Sequence, residues 1–593
     1  ATTLVSIISK EDLAKQQIFQ VADYLKNISG ISMASSGSLG GTAQLRMRGA
    51  EANQTLVLID GVEMNDPAAG DEFQFEHLTS NEIERIEIIR SPMSATWGSD
   101  ALAGVINIIT RQADVPLVLS AFAEYGSFDT LRAGGRFAAS GDRWKLSIGT
   151  SHMKSDGTNI SRSGDELDGY TNTNINLRVS LEIDEGLTFA ITARHSETMN
   201  EYDDIDYEVT GLPTDSDNSS ETKKTAFSAN LKNSAFDGLL NQSLRLTWLD
   251  TEIISFVFGS ESGATGAKKL GLYFDNQIAL RKGHTLTLAI DHENTDFTQK
   301  GDIAWGYDPN QLQNLKNTGY LADYVGDITD ALTLSASLRY DNNSNFENVT
   351  SWRAGASYKL LDGTRLFIND SKGQKAPTFI ERFGYYAGSF QGNPNLKPEQ
   401  STGYEIGIEQ TVGNFSMSAA YFNSDLTNEI NGFFYDATTF NFTAVNKEDD
   451  SKRQGFELML DGKLSSIFSF SANYTYIDST EDDGTGTQVD ELRRPKHIAS
   501  LSLNAEISDR LNINVNLNHT SKSLDVFYPP WPSPNERVEL KSYTLARIAA
   551  EYKINDIVSL YGRVENAFNE NYENVYGYGT PDRSVYVGLR ANF

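Results

Sequence analysis

The chain has 593 residues, no cysteine and a formal net charge of −30. The lack of cysteine excludes disulfide frameworks, thiolate metal sites and cysteine nucleophiles. The acidic charge argues against nucleic-acid binding, which needs a basic surface. No apolar run approaches the roughly 18 residues of a membrane-spanning helix, but this criterion does not exclude a β-barrel, whose strands are only half apolar.

The first 30 residues predict one strand followed by two helices. The strand covers Leu4 to Ile8, and Ser9 with Asp12 forms a helix N-cap pair. A second helix is predicted before Gly30, because apolar residues recur there at helical spacing and glycine is typical of a helix end. The residues that we expect in its buried face are Ile18, Val21, Ala22, Leu25 and Ile28.

Two glycine-punctuated segments follow, LRMRGAEANQTLVLIDG from Leu45 to Gly61 and IERIEIIRSPMSATWGSDALAGVINIITR from Ile83 to Arg111. Each combines a short apolar strand with an arginine and a tight glycine turn. Together they resemble the N-terminal plug domain of the TonB-dependent outer-membrane receptors. The matching residues are Arg48-Gly49, Leu56 to Gly61, Ile83 to Glu87, Arg90, Gly98, Ala101, Gly104 and Asn107 to Ile109. Ser91 departs from the family, which usually has glycine before Pro92.

After Arg111 the helical period gives way to alternation. The clearest run is Leu511 to Asn518, where apolar residues alternate with four asparagines. Short turn signals recur about every 33 to 52 residues, with room for two strands between successive turns. They are Gly141, Gly186, Gly238, Gly283, Asp330, Gly363, Gly413, Ser465, Asp509 and Asp556. Ten turns joining eleven hairpins predict an all-β transmembrane barrel of 22 antiparallel strands, the number that the family has.

The pattern at the end of the chain also predicts a barrel strand. Val585, Val587, Leu589, Ala591 and Phe593 alternate with more polar residues, and the chain ends on an aromatic residue. This pattern resembles the C-terminal signal for outer-membrane barrel assembly. The resemblance therefore implies an α/β plug domain over residues 1–112 inside a barrel over residues 113–593.

The family resemblance also implies a mechanism. Such a barrel would be an open aqueous hole, so the plug acts as its gate. Arg48 and Arg90 are predicted to lock the plug to glutamates of the barrel. No ATP-binding loop is present, so the energy must come from a partner, which in the family is TonB. Because Ala1 to Ile8 matches the first plug strand better than the Ton box, we expect that box to lie outside this sequence.

Near the C terminus the resemblance is to one branch of the family, because Glu565 to Phe593 looks most like the cobalamin receptors. The residues that carry this likeness are Asn566, Phe568, Tyr572, Glu573, Val575, Tyr576, Gly577 and Tyr578. LRRPKH, from Leu492 to His497, is a further match. The implied transported ligand is therefore cobalamin, a corrinoid. We expect a monomer in the outer membrane beside lipopolysaccharide, because a closed barrel has no free edges.

Two acidic loops resemble the calcium site of the cobalamin branch. Calcium takes six to eight oxygen ligands, so clustered carboxylates are suitable chemistry. The predicted calcium ligands are Asp156, Asp165, Asp168, Asp203 and Asp215. Asp165 and Asp168 are three residues apart where the family spaces them by two, which leaves Glu166, Asp204, Asp206 and Asp217 as substitutes. The alternative is an ordinary solvated acidic loop.

The apical loops of the plug, residues 35–41 and 65–73, are expected to face the extracellular mouth. The predicted ligand contacts there are Asn65, Asp66, Ala68, Ala69 and Gly70. Tyr202 and Tyr207, beside the acidic loops, are predicted to add amphipathic contacts from the barrel.

Four alternatives to cobalamin transport remain open. A haem receptor would share the motif region from Lys375 to Ser401, but no histidine lies there to bind iron, which leaves only His77. A ferric-siderophore receptor has no fixed motif to test. A passive porin would lack the plug. An enzyme would need a nucleophile and a base, and His152 and His519 stand near serines without a recognisable catalytic motif.

Overall fold

The computed structural model describes residues 2–37, 39–161, 164–303, 308–483 and 486–593. The helices are Lys10–Lys15, Val21–Leu25, Ser94–Trp97 and Phe379–Phe383, with 3-10 helices at Ala52–Gln54, Pro67–Ala69 and Phe75–His77. Within these described ranges, every helix is too short or too polar to cross a membrane.

The N-terminal part forms a plug domain around a five-stranded mixed sheet. The sheet order is Val5–Ser9, Ile83–Ile89, Gly104–Thr110, Thr55–Ile59 and Val62–Glu63, and the third and fourth of these strands are parallel. Ile31–Ser35 and Ala43–Met47 form a separate hairpin. One core, which includes Leu25, Met47, Ile86 and Ile106, joins the sheet to the helices. The plug therefore packs largely on itself.

The rest of the described chain forms a closed barrel of 22 antiparallel strands. The strands are Leu117–Gly126, Thr130–Ser140, Trp144–Thr158, Asp168–Asp184, Leu187–Ile205, Pro213–Ala235, Leu240–Val257, Ser260–Arg281, His284–Gly301, Gln311–Asp327, Leu332–Asn343, Val349–Leu361, Thr364–Lys375, Glu399–Val412, Phe415–Thr427, Ser451–Lys463, Phe468–Asp482, His497–Ser508, Leu511–Thr520, Tyr543–Lys553, Val558–Glu565 and Ser584–Asn592. The last strand pairs with the first and closes the barrel. The predicted fold class and strand number are confirmed.

The ten predicted turns all lie at one end of the barrel. Short turns mark the periplasmic end of an outer-membrane barrel, and the longer loops mark the extracellular end. The extracellular loops carry strands of their own, which are Tyr385–Tyr386, Phe390–Gln391, Ile430–Asp436, Asn441–Asn446, Ser523–Phe527 and Glu536–Leu540. The short strand Gln488–Asp490 pairs antiparallel with the extracellular end of Phe468–Asp482.

The predicted second helix is wrong in length. The helix covers only Val21–Leu25, although the expected core residues on either side of it are packed into the plug core. Gln17 has a positive φ of 50°, which turns the chain, and Gln20 forms a bridge with Thr79. By contrast, the Ser9 and Asp12 capping pair is confirmed, since each side chain binds the backbone N–H of the other residue.

The last strand shows the two faces of the barrel wall. Val585, Val587 and Leu589 are exposed toward the membrane side, whereas Ser584 and Tyr586 are buried on the lumen side. Similarly, Asn514 and Asn516 are buried against the lumen. This arrangement is typical of a membrane barrel with a polar interior.

We predict that Val587→Arg lowers the free energy of barrel unfolding by about 2–4 kcal/mol, because an outward charge in the apolar band must be desolvated. Val587→Ile, which keeps that face apolar, is the matched control and should unfold like the wild type. Urea unfolding in lipid vesicles, followed by tryptophan fluorescence, measures the difference. Equal stabilities of the two variants would contradict this assignment of the outer face.

Candidate functional site

Two plug arginines and two barrel glutamates form a buried charge cluster, the arginine–glutamate cluster. Arg48 Nε lies 2.7 Å from Glu457 Oε1, and Arg48 Nη2 lies 2.8 Å from Glu405 Oε1. Arg90 Nε lies 3.2 Å from Glu457 Oε2. Arg90 and Glu457 are both fully buried. Two cations thus neutralise two carboxylates that would be costly to bury alone.

Neighbouring plug and barrel residues also contact these carboxylates. Glu405 Oε2 accepts hydrogen bonds of 2.7 Å from Thr3 Oγ1 and from Asn369 Nδ2. Gly30 has a φ of +76°, and a Cβ atom added there would lie 2.2 Å from Glu457 Oε1. A glycine is therefore required at this position for both its backbone conformation and its close approach to the cluster.

Three barrel lysines bind carboxylates on the apical side of the plug. Lys375 Nζ lies 2.8 Å from Asp71 Oδ2 and 2.9 Å from Asp100 Oδ1. Lys269 Nζ lies 2.7 Å from Glu63 Oε1. The third, Lys224, is paired with Asp66. The plug is therefore held to the barrel in two ways, by plug arginines that bind barrel glutamates and by plug carboxylates that bind barrel lysines.

The paired arginines of the LRRPKH segment have separate partners. Arg494 Nη2 lies 2.6 Å from Glu51 Oε1, and Arg494 Nε donates to the carbonyl of Gly49. Burial alone would raise the pKa of the Glu51 carboxyl, but Arg494 and Arg46 hold this pKa well below its usual value. Arg493 binds Asp525 in an extracellular hairpin at 2.8 Å. This segment therefore ties the plug to the barrel and also reaches the loops.

Two of the predicted ligand contacts are internal to the protein. Asn65 Oδ1 accepts from the N–H of Val57 at 2.8 Å, and its Nδ2 donates to the carbonyls of Thr55 and Asp71. The fully buried Asp66 caps the following 3-10 helix and lies 2.8 Å from Lys224 Nζ. Their side chains hold the apical loop in place and do not face the extracellular space.

The other predicted contacts have mixed surroundings. Ala68 is buried, whereas Ala69 and Gly70 are partly exposed, and a Cβ atom added to Gly70 would meet no atom within 4 Å. Tyr202 is half-buried and Tyr207 is exposed. In the other predicted apical loop, Ser38 lies outside the described residues.

An apical pocket of ≈ 240 Å³ lies between the plug and the extracellular loops. Ala34, Ser36, Thr42 and Gln44 of the plug form its floor. Its wall includes the aromatic side chains of Phe527, Tyr528, Tyr576 and Tyr578, together with Arg493. Tyr576 and Tyr578 belong to the segment that resembles the cobalamin branch, but no local signal in the sequence indicated Phe527 and Tyr528. The aromatic rings and the guanidinium group make this pocket an amphipathic surface.

The predicted calcium ligands act mainly as acceptors for backbone groups. Asp168 Oδ2 accepts from the N–H of Ile160 at 2.8 Å. Asp203 accepts from the N–H groups of Ser161 and Ser216 at 2.9 and 3.1 Å. These carboxylates therefore hold the backbone of Ile160, Ser161 and Ser216.

Asp215 binds the same loop from the opposite side. Its Oδ2 accepts from the N–H groups of Asp165 and Glu166 at 2.8 and 3.0 Å. Partial burial and the nearby carboxylates of Asp203 and Asp215 raise the pKa of Glu166. Asp156 is exposed and contributes no contact to this group in the described part of the loop. Throughout the described ranges, no three His, Cys, Asp or Glu residues are grouped as a metal site.

His77, the candidate haem ligand, is packed against the barrel wall. Its Nδ1 lies 3.1 Å from the Tyr170 hydroxyl, and the two rings are stacked. Burial lowers the pKa of His77 to about 3. Its role here is to connect plug and barrel.

Comparisons with known proteins agree with this architecture. A family model described as "TonB dependent receptor-like, beta-barrel" matches residues 119–567, and one described as "TonB-dependent Receptor Plug Domain" matches residues 1–105. Two curated relatives, the vitamin B12 transporters BtuB of Vibrio vulnificus and Photobacterium profundum, are each 26% identical over 99% of this chain and 92% of their own length.

Solved structures are similar in fold. The siderophore receptor PirA from Acinetobacter baumannii aligns with a TM-score of 0.83 at 20% identity, covering 99% of this chain and 98% of that one. The ferric enterobactin receptor PfeA from Pseudomonas aeruginosa, solved in complex with BCV-L6, aligns with a TM-score of 0.84 at 18% identity over all of both chains. At such identities the likeness concerns the fold alone.

We predict that Glu457→Ala lowers the free energy of local plug opening by about 3–5 kcal/mol, because it leaves Arg48 and Arg90 buried without this partner. Glu87→Ala, which breaks the exposed pair with Arg85, is the control and should cost about 1 kcal/mol or less. Hydrogen exchange of the amides in Ala43–Met47 measures both values. Similar protection in the two variants would show that the buried cluster does not hold the plug.

Proposed function

The chain belongs to the TonB-dependent receptor family, and from this premise we propose that it binds cobalamin at its extracellular mouth and releases it to the periplasm when TonB remodels the plug. Members of this family are receptors of the Gram-negative outer membrane and not enzymes. Both curated relatives are named as vitamin B12 transporters and match nearly the whole chain, which supports cobalamin as the ligand.

The apical pocket is the observation that carries this proposal. Its aromatic wall can pack against a broad ring system, and its phenol and guanidinium groups can bind amide oxygens at the edge of the ring. Exposed Tyr207 lies near Tyr528 and Tyr578, so it extends the same surface. A corrinoid, which is a large macrocycle surrounded by amides, has this combination of properties.

Charge favours a corrinoid over a ferric catecholate. A ferric tris-catecholate complex is an anion and needs several cations in its site. Arg493 is the cation in the described wall of the apical pocket, and Asp525 already neutralises it. The nearby loops add carboxylates such as Asp203 and Asp215. The electrostatic potential of the extracellular loops is therefore unfavourable for an anion and has little effect on a neutral corrinoid.

Calcium is not included in the proposed function. The loop carboxylates accept backbone N–H groups, which occupies oxygens that a calcium ion would need. We do propose that the protein works as a monomer among lipopolysaccharide, because barrel closure leaves no strand edge to pair with another copy.

We predict that Tyr528→Ala and Tyr576→Ala each weaken cyanocobalamin binding about three- to tenfold, since each removes an aromatic contact of about 1 kcal/mol. Tyr435→Ala removes an exposed tyrosine in a different loop sheet and should bind like the wild type. Equilibrium binding to the detergent-solubilised receptor measures these affinities.

The same titration tests the alternatives. We expect a calcium chelator to leave the affinity unchanged, and haem or a ferric catecholate not to compete. Weaker binding of cyanocobalamin in the presence of the chelator would support the predicted calcium site. Failure of cyanocobalamin to bind, together with tight binding of a ferric catecholate, would replace the corrinoid by a siderophore.

A further inference from the structure

A row of aromatic side chains crosses a small sheet that two extracellular loops build together. The sheet has four strands, two from each loop, and each strand places one aromatic residue in the same register. Tyr386 lies opposite Phe390, Phe390 lies opposite Phe442, and Phe442 lies opposite Tyr435. Register partners project from the same face of a sheet, so these four side chains stand next to one another.

Phe433 adds a fifth ring to this face. Its ring stacks on the buried ring of Phe390, with centroids 5.6 Å apart and planes 20° apart, and its centroid lies 4.9 Å from that of Phe442. Phe390 packs in turn with Leu396 and Ala444. One side of the Phe433 ring is therefore supported by the sheet, and the other side is open to solvent. We call the five rings together the aromatic row.

The exposed area of the aromatic row is too small for a stable protein partner. Phe433, Tyr435 and Tyr386 are 64%, 49% and 46% exposed. At about 200 Å² for each side chain, these fractions expose roughly 320 Å² of aromatic surface. A stable protein interface takes about 800 Å² from each partner. The row therefore suits a ligand that is not much larger than its own rings.

The chemistry of the row matches that of a sugar. The faces of a pyranose ring carry C–H groups, which pack against an aromatic face, whereas its hydroxyl groups lie at the ring edge and need hydrogen-bond partners. Tyr386 and Tyr435 stand on the two edge strands of the sheet, so their hydroxyl groups lie at the two ends of the row. Among the described residues, neither hydroxyl group has a hydrogen-bond partner. Both are therefore available to a sugar that is stacked on Phe433.

The charges of the loop sheet favour a neutral sugar. Its four strands contain no lysine and no arginine, and Asp436 is their one charged residue. Below the row, Glu381 approaches Gly432, where an added Cβ atom would lie 3.9 Å from Glu381 Oε1. A phosphate group or an acidic sugar would need a cation, which these strands do not supply.

The small contact area also indicates where the sugar comes from. A few stacking contacts bind a free oligosaccharide weakly, so the occupant must be present at a high local concentration. The polysaccharide chains of lipopolysaccharide meet this condition, because they are anchored in the same membrane beside the extracellular loops.

We propose that the aromatic row binds a neutral stretch of the polysaccharide chain of a neighbouring lipopolysaccharide molecule. The row is separate from the apical pocket, since none of its five residues lines that pocket. The proposal rests on the location of the receptor in the outer membrane and on the lipopolysaccharide beside it. It does not depend on which ligand is transported.

The first test is saturation-transfer NMR with the polysaccharide that mild acid releases from the lipopolysaccharide of the source cells. The receptor is kept in a polyoxyethylene detergent, which has no sugar headgroup to compete. We expect saturation transfer to the C–H protons of the sugar rings. Phe433→Ala combined with Tyr435→Ala should lower this transfer about fivefold, because it removes the two most exposed rings of the row.

Phe434→Ala is the matched control for this test. It removes an exposed phenylalanine from the same strand, but this residue pairs with Thr443 and projects from the other face of the sheet. We expect it to keep the wild-type transfer, and all variants should keep the heat-dependent gel mobility of a folded barrel. Undiminished transfer to the polysaccharide in the double variant, an equal loss in the control, or no transfer in the wild type would overturn the proposal.

The second test identifies the source of the sugar. The chain has no native cysteine, so a fluorophore attached to Ala437→Cys, in the exposed turn beside the row, is the only label. In vesicles, lipopolysaccharide with its full polysaccharide chain should raise the anisotropy of this label above the value with lipopolysaccharide truncated to its core. Phe433→Ala combined with Tyr435→Ala should remove the difference.

Three outcomes of the second test contradict the proposal. Equal anisotropy with full and truncated lipopolysaccharide would show that a membrane-anchored chain does not occupy the row. A difference that persists in the double variant would show that the chains merely crowd the loop. An anisotropy that rises with receptor density in both kinds of vesicle would assign the row to a second copy of this chain. Cyanocobalamin is absent from both tests, so failure of the proposed transport function would leave their results unchanged.

Discussion

Burial of opposite charges between plug and barrel is the constraint on which the rest of the structure depends. The lumen of a 22-stranded barrel is polar, so apolar burial cannot by itself keep a domain inside it. The arginine–glutamate cluster and the three lysine contacts supply the missing complementarity. Each partner would be costly to bury alone, and this cost makes the docked position specific.

A polar interface also suits a plug that must move. The main plug core draws mostly on plug residues, with Ala226 and Leu249 as its barrel members. The domain therefore retains its own packing while its contacts with the wall are mostly hydrogen bonds and ion pairs. Such contacts exchange with water more readily than an interdigitated apolar surface does.

The ligand-facing end follows a different principle. The loops around the acidic residues are held by side-chain carboxylates bound to backbone N–H groups, and the apical pocket is walled by aromatic residues. The selectivity that we propose for this pocket therefore rests on shape and aromatic contact more than on charge. In the function that we propose, the negative loops disfavour anionic ligands at a distance, and the apical pocket selects among those that reach it.

The sequence by itself determined the barrel and the identity of the plug. Alternation with a period of two marks each strand wherever one face meets lipid, and ten turn signals placed the hairpins, because both effects are local. Arg48 and Arg90 were also found from their motifs. Only the tertiary structure decided their partners, since Glu405 and Glu457 lie hundreds of residues away on strands that carry no special signal. It likewise shortened the second helix, assigned Asn65 and Asp66 to internal bonds, and brought Phe527 and Tyr528 to the pocket. These outcomes depend on contacts between segments that are far apart in the sequence, and a local sequence pattern contains no information about such contacts.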